Sequence, residues 1–264
     1  MTIGPAGHHG LGRVRRWAAP LGVTAGLAVF VWALRGSEFD AARLVEGFGR
    51  AGVYVSQMAP PDLSVLPKAA AALIVTLQMA LVGTVLGALA AAPVSFVAAR
   101  TSALPRALST TVKTGLNVLR AVPPLVYAVL FVYMVGLGPF PGALGIAVGS
   151  FVMLAKLYAE ALESVHPAPI EAVKAVGARP IQVFVYGMLP QALPQYMAHT
   201  LYAWELNISA ATILGIVGAG GIGFELIAQI NYFQWHKVAT YLLVLVAMVV
   251  TADTVSYTLR RRIV

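Results

Sequence analysis

Long apolar stretches alternate with short polar ones along this chain, and the apolar stretches exceed what a soluble core uses. About 20 apolar residues cross a bilayer. The first such run is Trp17–Leu34, preceded by Arg13, Arg15 and Arg16. No small-residue cleavage site follows it, so it reads as a retained anchor rather than a signal peptide. The second, Ala69–Ala99, contains no charge. Ala121–Ala155 is too long for one span, and GLGPFPG at Gly136–Gly142 splits it into a third and a fourth, because Gly and Pro interrupt helices. The fifth runs from about Gln191 to Gly218, and the sixth covers Val238–Leu259, closed by Arg260, Arg261 and Arg262. The pattern predicts an all-α polytopic membrane protein with six transmembrane helices.

Six spans leave both termini on one side, and the side richer in Lys and Arg is cytoplasmic. On the side of the termini stand thirteen: Arg13, Arg15, Arg16, Arg100, Arg106, Lys113, Arg120, Lys156, Lys174, Arg179 and Arg260 to Arg262. The other side has five: Arg35, Arg43, Arg50, Lys68 and Lys237. Both termini are therefore expected in the cytoplasm. The organisation follows: a cytoplasmic tail over 1–16, a first span over 17–34, and an external linker over 35–68. A core of five spans occupies 69–259, with a cytoplasmic loop at 161–190, and a basic tail closes the chain at 260–264. In the linker, Ser37 can cap a helix with Glu38 and Asp40 in its first turn and Phe39, Leu44 and Phe48 on one face. That helix either lies on the outer membrane surface or packs on the spans.

Composition agrees with a membrane protein. The chain is 59% hydrophobic and 11% charged, against roughly 25% charged residues in soluble domains. The net charge of +8 sits at the ends of apolar runs, not interleaved with aromatics on a polar face, so nucleic acid is not an expected partner and the lipid bilayer is. With no cysteine there is no disulfide framework or thiolate site. The five histidines are scattered, so no metal site is expected, and no nucleophile set or paired DxxD motif marks a lipid-modifying enzyme.

The loop EALESVHPAPIEAVKAVGARPIQVFVYGMLPQ carries the strongest pattern. Pro167 and Pro169 restart a helix at about Ala168, since proline is tolerated in a first turn. Ile170, Val173 and Val176 lie at spacing three on one stripe. Glu171 near the start and Lys174 near the end suit the macrodipole, and Gly177 is placed for a left-handed C-cap. The apolar stripe needs a partner, either the chain's own spans or another protein.

Other candidates are weighed singly. Glu205 falls about 21 Å along the fifth span, near mid-membrane. A carboxylate there faces water or a partner; with Asn207 it is either a translocation-path or gating residue or part of a hydrogen bond between helices. Arg120 opens the third span and either meets an anion or snorkels to the cytoplasmic interface. Lys156 and Glu160, four apart, can pair, and Asp253 can approach the basic tail. Gly83 with Gly87, and Gly145 with Gly149, are small-residue stripes for close helix packing. IVGAGGIG contains a literal G-x-G-x-x-G, but it ends a membrane helix and no acidic residue stands about 20 positions on, so it is not a dinucleotide loop. Gly218, Gly220 and Gly221 either shape the outer mouth of a path or only terminate and pack the helix.

Glu171-Ala172-Val173, then Gly177, and later Leu189-Pro190, resembles the EAA loop of ABC-importer permeases. The family's usual Ile before Leu-Pro is here Gly187. TLQMALVGTVLGALAAAPVSFVAAR, RAVPPLVYAVLFVYMVGLGPFPGALG, LAKLYAEALE and ATILGIVGAGGIG resemble the phosphonate-importer permease subfamily over about Leu66 to Val264. The resemblance implies a type I ABC-importer permease fold without catalysis of its own. The chain would bind no cofactor, since ATP and Mg belong to a partner ATPase. It implies a bacterial inner-membrane protein working with a second copy of itself, a cytoplasmic ATPase dimer and an extracytoplasmic solute-binding protein that delivers a phosphonate or related phosphorus oxyanion. Glu171, Ala172, Val173, Lys174, Gly177, Leu189 and Pro190 would couple to the ATPase. Relatives carry Glu-x-Asn-x-Arg in the fifth span; here Glu205 and Asn207 are followed by Ser209, so the cation expected to pair with the carboxylate is missing from its place.

Overall fold

A computed structural model describes residues 11–100 and 105–263, with side chains from residue 23 onward. Two units separate, Met1–Ser56 and Gln57–Val264. In the first, α1 (Leu11–Gly36) contains the predicted anchor, and α2 (Ala41–Gln57) follows it. Residues 1–10 of the expected tail lie outside the described residues, and 11–16 are helical rather than a tail. The cap of α2 is Asp40, not Ser37: Asp40 Oδ1 accepts from the Ala42 N–H at 2.9 Å, while the Ser37 hydroxyl donates back to Leu34 O. Glu38 takes φ 52°, which ends α1 between the two.

The second unit holds α3 (Leu66–Ala98), α4 (Arg106–Arg120), α5 (Pro124–Val135), α6 (Pro139–Glu163), α7 (Pro167–Ala175), a single turn α8 (Pro180–Gln182), α9 (Leu189–Leu214), α10 (Gly221–Asn231) and α11 (Trp235–Ile263). A 3₁₀ turn, Leu63–Val65, leads into α3, and its cap Asp62 is held below the ordinary carboxylate range by the Ser64 hydroxyl and N–H. π-helical turns at Val183–Met188 and Gly215–Ala219 bracket α9. Among the described residues, four helical segments are long and apolar enough to cross a membrane: Leu63–Ala98, Pro139–Glu163, Pro180–Ala219 and Trp235–Ile263. The predicted third span is not a straight crossing. α5 has 12 residues, about 18 Å, against a hydrocarbon core of about 30 Å. It continues from α4, a helix absent from the sequence reading, across a 78° bend at Ala121–Pro123.

Small residues set the central packing. Gly83 and Gly87 of α3 lie where a Cβ would strike Ile146 and Ser150 of α6, and Gly145 and Gly149 of α6 meet Ala128 and Pro124 of α5 in the same way. Both small-residue stripes therefore work as helix-packing surfaces, letting backbones approach where lipid offers no hydrophobic drive to associate. Two apolar cores result. One, toward α7, centres on Leu154, Tyr158, Leu162, Met188 and Tyr196. The other, toward α10, centres on Met79, Ile146, Ile208, Leu214, Ile222 and Tyr241. In the first, the Tyr158 and Tyr196 rings stack at 3.8 Å, and each hydroxyl finds a partner, Thr200 and Ser95 respectively.

Candidate functional site

The loop between α6 and α9 folds as its sequence suggests, with one correction. His166 caps α7 through Nδ1, which accepts from the Ala168 N–H, and Gly177 closes it at φ 77° with its N–H on Lys174 O. Ile170 is buried and Val173 half-buried against the core, seating α7 with about 2 kcal/mol of apolar burial at Ile170. Val176 is not on that stripe: it is 84% exposed. α7 ends at Ala175, and Val176 (ψ 10°) leaves the helical path before the left-handed Gly177. Glu171, Ala172 and Lys174 are likewise exposed, so α7 presents a mixed charged and apolar outer face.

Two residues hold this loop: Gln191, which no motif singled out, and Gly187, which stands where the family's usual Ile is expected. Gln191 in the first turn of α9 accepts the His166 N–H at 3.1 Å and donates to Gly187 O at 2.6 Å. Gly187 lies 3.3 Å, measured from where a Cβ would stand, from the Ile170 Cα. The glycine thus lets the π-helical turn press on α7, and a bulky residue there would push α7 away. Leu189 packs half-buried on the same core and Pro190 is exposed in the first turn of α9. Lys156 and Glu160 form no ion pair among the described residues; Lys113 of α4 instead bridges to Glu163 at 2.8 Å, and Glu163 also accepts the Arg100 N–H.

The polar residues of α9 divide. Asn207 donates to Thr84 Oγ1 at 2.8 Å and to Ser150 Oγ at 2.7 Å, tying α3, α6 and α9 together. Both hydroxyls are buried, so Asn207 is a hydrogen-bonding knot between helices. Glu205 is bound at 2.7 Å by Arg260 of α11, whose guanidinium also lies over the Tyr202 ring. The expected basic tail is therefore helical through Ile263, and its first arginine supplies the cation that Ser209, itself exposed, does not. Asp253 is exposed and joins no ion pair with that tail among the described residues.

Arg120 is the last residue of α4, at the α4–α5 bend, exposed, and beside Gly149, Val152 and Met153 of α6. The glycine run is a backbone reversal. Gly218, Gly220 and Gly221 take φ 96°, 79° and 74°, values that disfavour any side chain. A Cβ on Gly223 would collide with the Thr212 carbonyl, and one on Gly215 with Gly220 O and the Phe224 N, so α10 folds back onto α9 in direct backbone contact. The Ile222 N–H is satisfied by Thr76 Oγ1 at 2.9 Å. The reading of this run as a helix end needing close backbone approach holds; α10 itself was not foreseen. Lys68 of α3 then pins Glu225 of α10 at 2.7 Å. Among the described residues no cluster of His and acidic side chains could hold a metal ion.

Residues 83–264 match the model of the binding-protein-dependent transport system inner membrane component. The chain is 40% identical over 222 residues to the phosphite transport system permease protein PtxC of Stutzerimonas stutzeri, covering 84% of this chain and 81% of that one. It is 31% identical over 233 residues to the phosphate-import permease protein PhnE of Mycolicibacterium smegmatis, covering 88% of this chain and 43% of that one. In fold it is similar to a solved inward-facing form of the MetNI methionine ABC transporter, at a TM-score of 0.67 and 23% identity over 77% of this chain and 99% of that one. Packed apolar spans, the α7 loop and these matches converge: the chain belongs to the binding-protein-dependent transport system inner membrane component family, and is an inner-membrane permease subunit of an ABC importer, not an enzyme.

Proposed function

We propose that this chain is the permease of an ATP-driven importer for a small phosphorus oxyanion, acting as a pair of identical copies. Phosphonate is the cargo its sequence resemblance implies, while the PtxC and PhnE names speak of phosphite and phosphate; the shared chemistry is a compact tetrahedral anion. Both termini face the cytoplasm, in keeping with thirteen basic residues on that side against five on the other. α7 is the coupling helix. The observation that carries this is its geometry: Ile170 and Gln191 fasten it to the spans, while Glu171, Lys174 and Val176 stay exposed for an ATPase groove. ATP-driven closure of the ATPases would move α7, and α9 with it through Gln191. An external binding protein then releases cargo into the outward-facing path.

The test is ligand-stimulated ATP hydrolysis by the complex reconstituted with its ATPase and binding protein. Phosphite, phosphate or methylphosphonate should stimulate, and Glu171→Ala or Gly177→Asp should leave hydrolysis while abolishing uptake. Stimulation by none of the three anions would reject the cargo class. Normal uptake in both variants would reject the coupling assignment.

A further inference from the structure

The cations of α4 share one edge of the helix. Its sequence, RALSTTVKTGLNVLR, has no carboxylate, and Arg106, Lys113 and Arg120 recur every seven residues. A heptad step drifts only about 20° on a straight helix, so the three stand one above another. Thr110 and Asn117 fall between them on the same stripe. Ser109 and Leu116 face the protein and are buried, while Leu108 and Leu119, on the flank away from the cations, are exposed. An amphipathic helix with a cationic polar side is the make-up of a helix at a membrane–water boundary.

Two span ends place α4 at such a boundary. The Ser109 hydroxyl donates to the carbonyl of Ala98, the last residue of α3, at 2.6 Å. Lys113 bridges to Glu163, the last residue of α6, at 2.8 Å. α6 runs without charge from Pro139 to Ala155, about 26 Å at 1.5 Å per residue, and Lys156 is its first charged residue. Against a hydrocarbon core of about 30 Å, the stretch from Lys156 to Glu163 lies at the level of the headgroups. It is also the end of α6 that leads into α7.

Two recesses open along the cationic edge here. One, of about 400 Å³, is lined by Arg100, Arg106, Ser109 and Thr110. The next, of about 340 Å³, is lined by Arg100, Lys113, Asn117, Lys156, Glu160 and Glu163. Both sizes suit a small ligand, for which pockets span roughly 300–1,000 Å³. Four cations, Arg100, Arg106, Lys113 and Lys156, stand against two carboxylates. Of the carboxylates, Glu163 is occupied twice, by Lys113 and by the Arg100 N–H. Arg106 and Lys156 are exposed and join no ion pair among the described residues. Glu160 lines the second recess as an acceptor. Its carboxylate repels a free oxyanion, whereas a glycerol headgroup can donate a hydroxyl to it.

We propose that this edge of α4 is a binding site for anionic phospholipid headgroups of the cytoplasmic leaflet, with the chemistry of phosphatidylglycerol. Phosphodiesters meet Arg106 in one recess and Lys156 in the other, with Arg100 between them, and a glycerol hydroxyl meets Glu160. Basic pockets between spans on the cytoplasmic side take such headgroups. The leaflet rests on the orientation read above from the distribution of basic residues. A bound headgroup ties α4 to the ends of α3 and α6, beside the α7 loop.

Spin-labelled phosphatidylglycerol and phosphatidylcholine test this with the full complex in phosphatidylcholine bilayers, the immobilised fraction of each probe giving its relative association. Phosphatidylglycerol should be preferred at least threefold, and Arg106→Gln with Lys156→Gln should remove the preference. Arg43→Gln with Arg50→Gln, an equal loss of charge on α2, should leave it intact. A preference unchanged by the α4 pair, or lost equally in both pairs, overturns the site. In the unaltered complex the preference should fall at least twofold between about 50 mM and about 500 mM salt, and a salt-independent preference overturns charge recognition. Phosphate or phosphite should displace the lipid probe no better than sodium chloride of equal ionic strength; stronger displacement assigns the edge to the cargo and overturns the lipid reading. The chain has no cysteine, so Thr114→Cys puts a single thiol on the exposed side of α4. A membrane-impermeant thiol reagent should modify it only after spheroplasts are permeabilised. Modification in intact spheroplasts overturns the leaflet and the orientation together, and the probe preference then reports separately on the headgroup site.

Discussion

Replacing Asn207 with leucine separates a knot from a path residue. Leucine has nearly the shape of asparagine, so the change removes two hydrogen bonds, to Thr84 and Ser150, and leaves little cavity. Thr84 keeps its own bond to Ala80 O at 2.6 Å, so its hydroxyl is not stranded. Interhelical hydrogen bonds in membranes average about 0.6 kcal/mol, with a ceiling near 1.7. Two of them make the expected loss about 1–2 kcal/mol. At roughly 2–4 °C per kcal/mol for a unit of this size, the thermal midpoint of the detergent-purified protein should fall by about 2–8 °C. The KM for phosphite uptake in the reconstituted complex should not move. An unchanged midpoint with a raised KM would refute the knot and return Asn207 to the path.

The other expectations rest on single contacts. For Glu205 and Arg260, a double-mutant cycle of Glu205→Gln and Arg260→Gln should show a coupling of about 1 kcal/mol, at the upper end for exposed pairs because both side chains are mostly shielded; strictly additive losses in thermal midpoint would show that the pair contributes nothing. Gly223→Ala should abolish accumulation of folded protein in the membrane, because its Cβ has no space beside the Thr212 carbonyl; recovery of wild-type amounts with an unchanged midpoint would mean that α10 does not pack on α9 as described.

Much of the fold was readable because lipid imposes a simple rule. Apolar length located α3, α6, α9 and α11, and Gly-Pro punctuation located the α5–α6 link. α4 escaped because it carries three cations among apolar residues, a pattern shared by cytoplasmic loops and amphipathic helices. α10 escaped because its 11 residues follow a glycine run that, read along the chain, is simply an ending. In the loop at 161–190, Gly177 and Ile170 were legible from local capping and periodicity. Gln191 was not: its role depends on a partner 25 positions away. Arg260 likewise read as a charge at a helix end, and only the packing of α11 on α9 brings it to Glu205.

The contact between α9 and α10 also has a mechanical meaning. Side chains at an interface absorb small displacements by changing rotamer, but Gly215 and Gly223 meet their neighbours backbone to backbone and have no rotamer to change. The contact therefore lacks the side-chain play that takes up small displacements between packed helices. With Gln191 bracing the opposite end of α9 against the α7 loop and Lys68 fixing α10 to α3, the chain contains a stiff strut running the length of a span. A displacement of α7 would be carried along that strut toward α10.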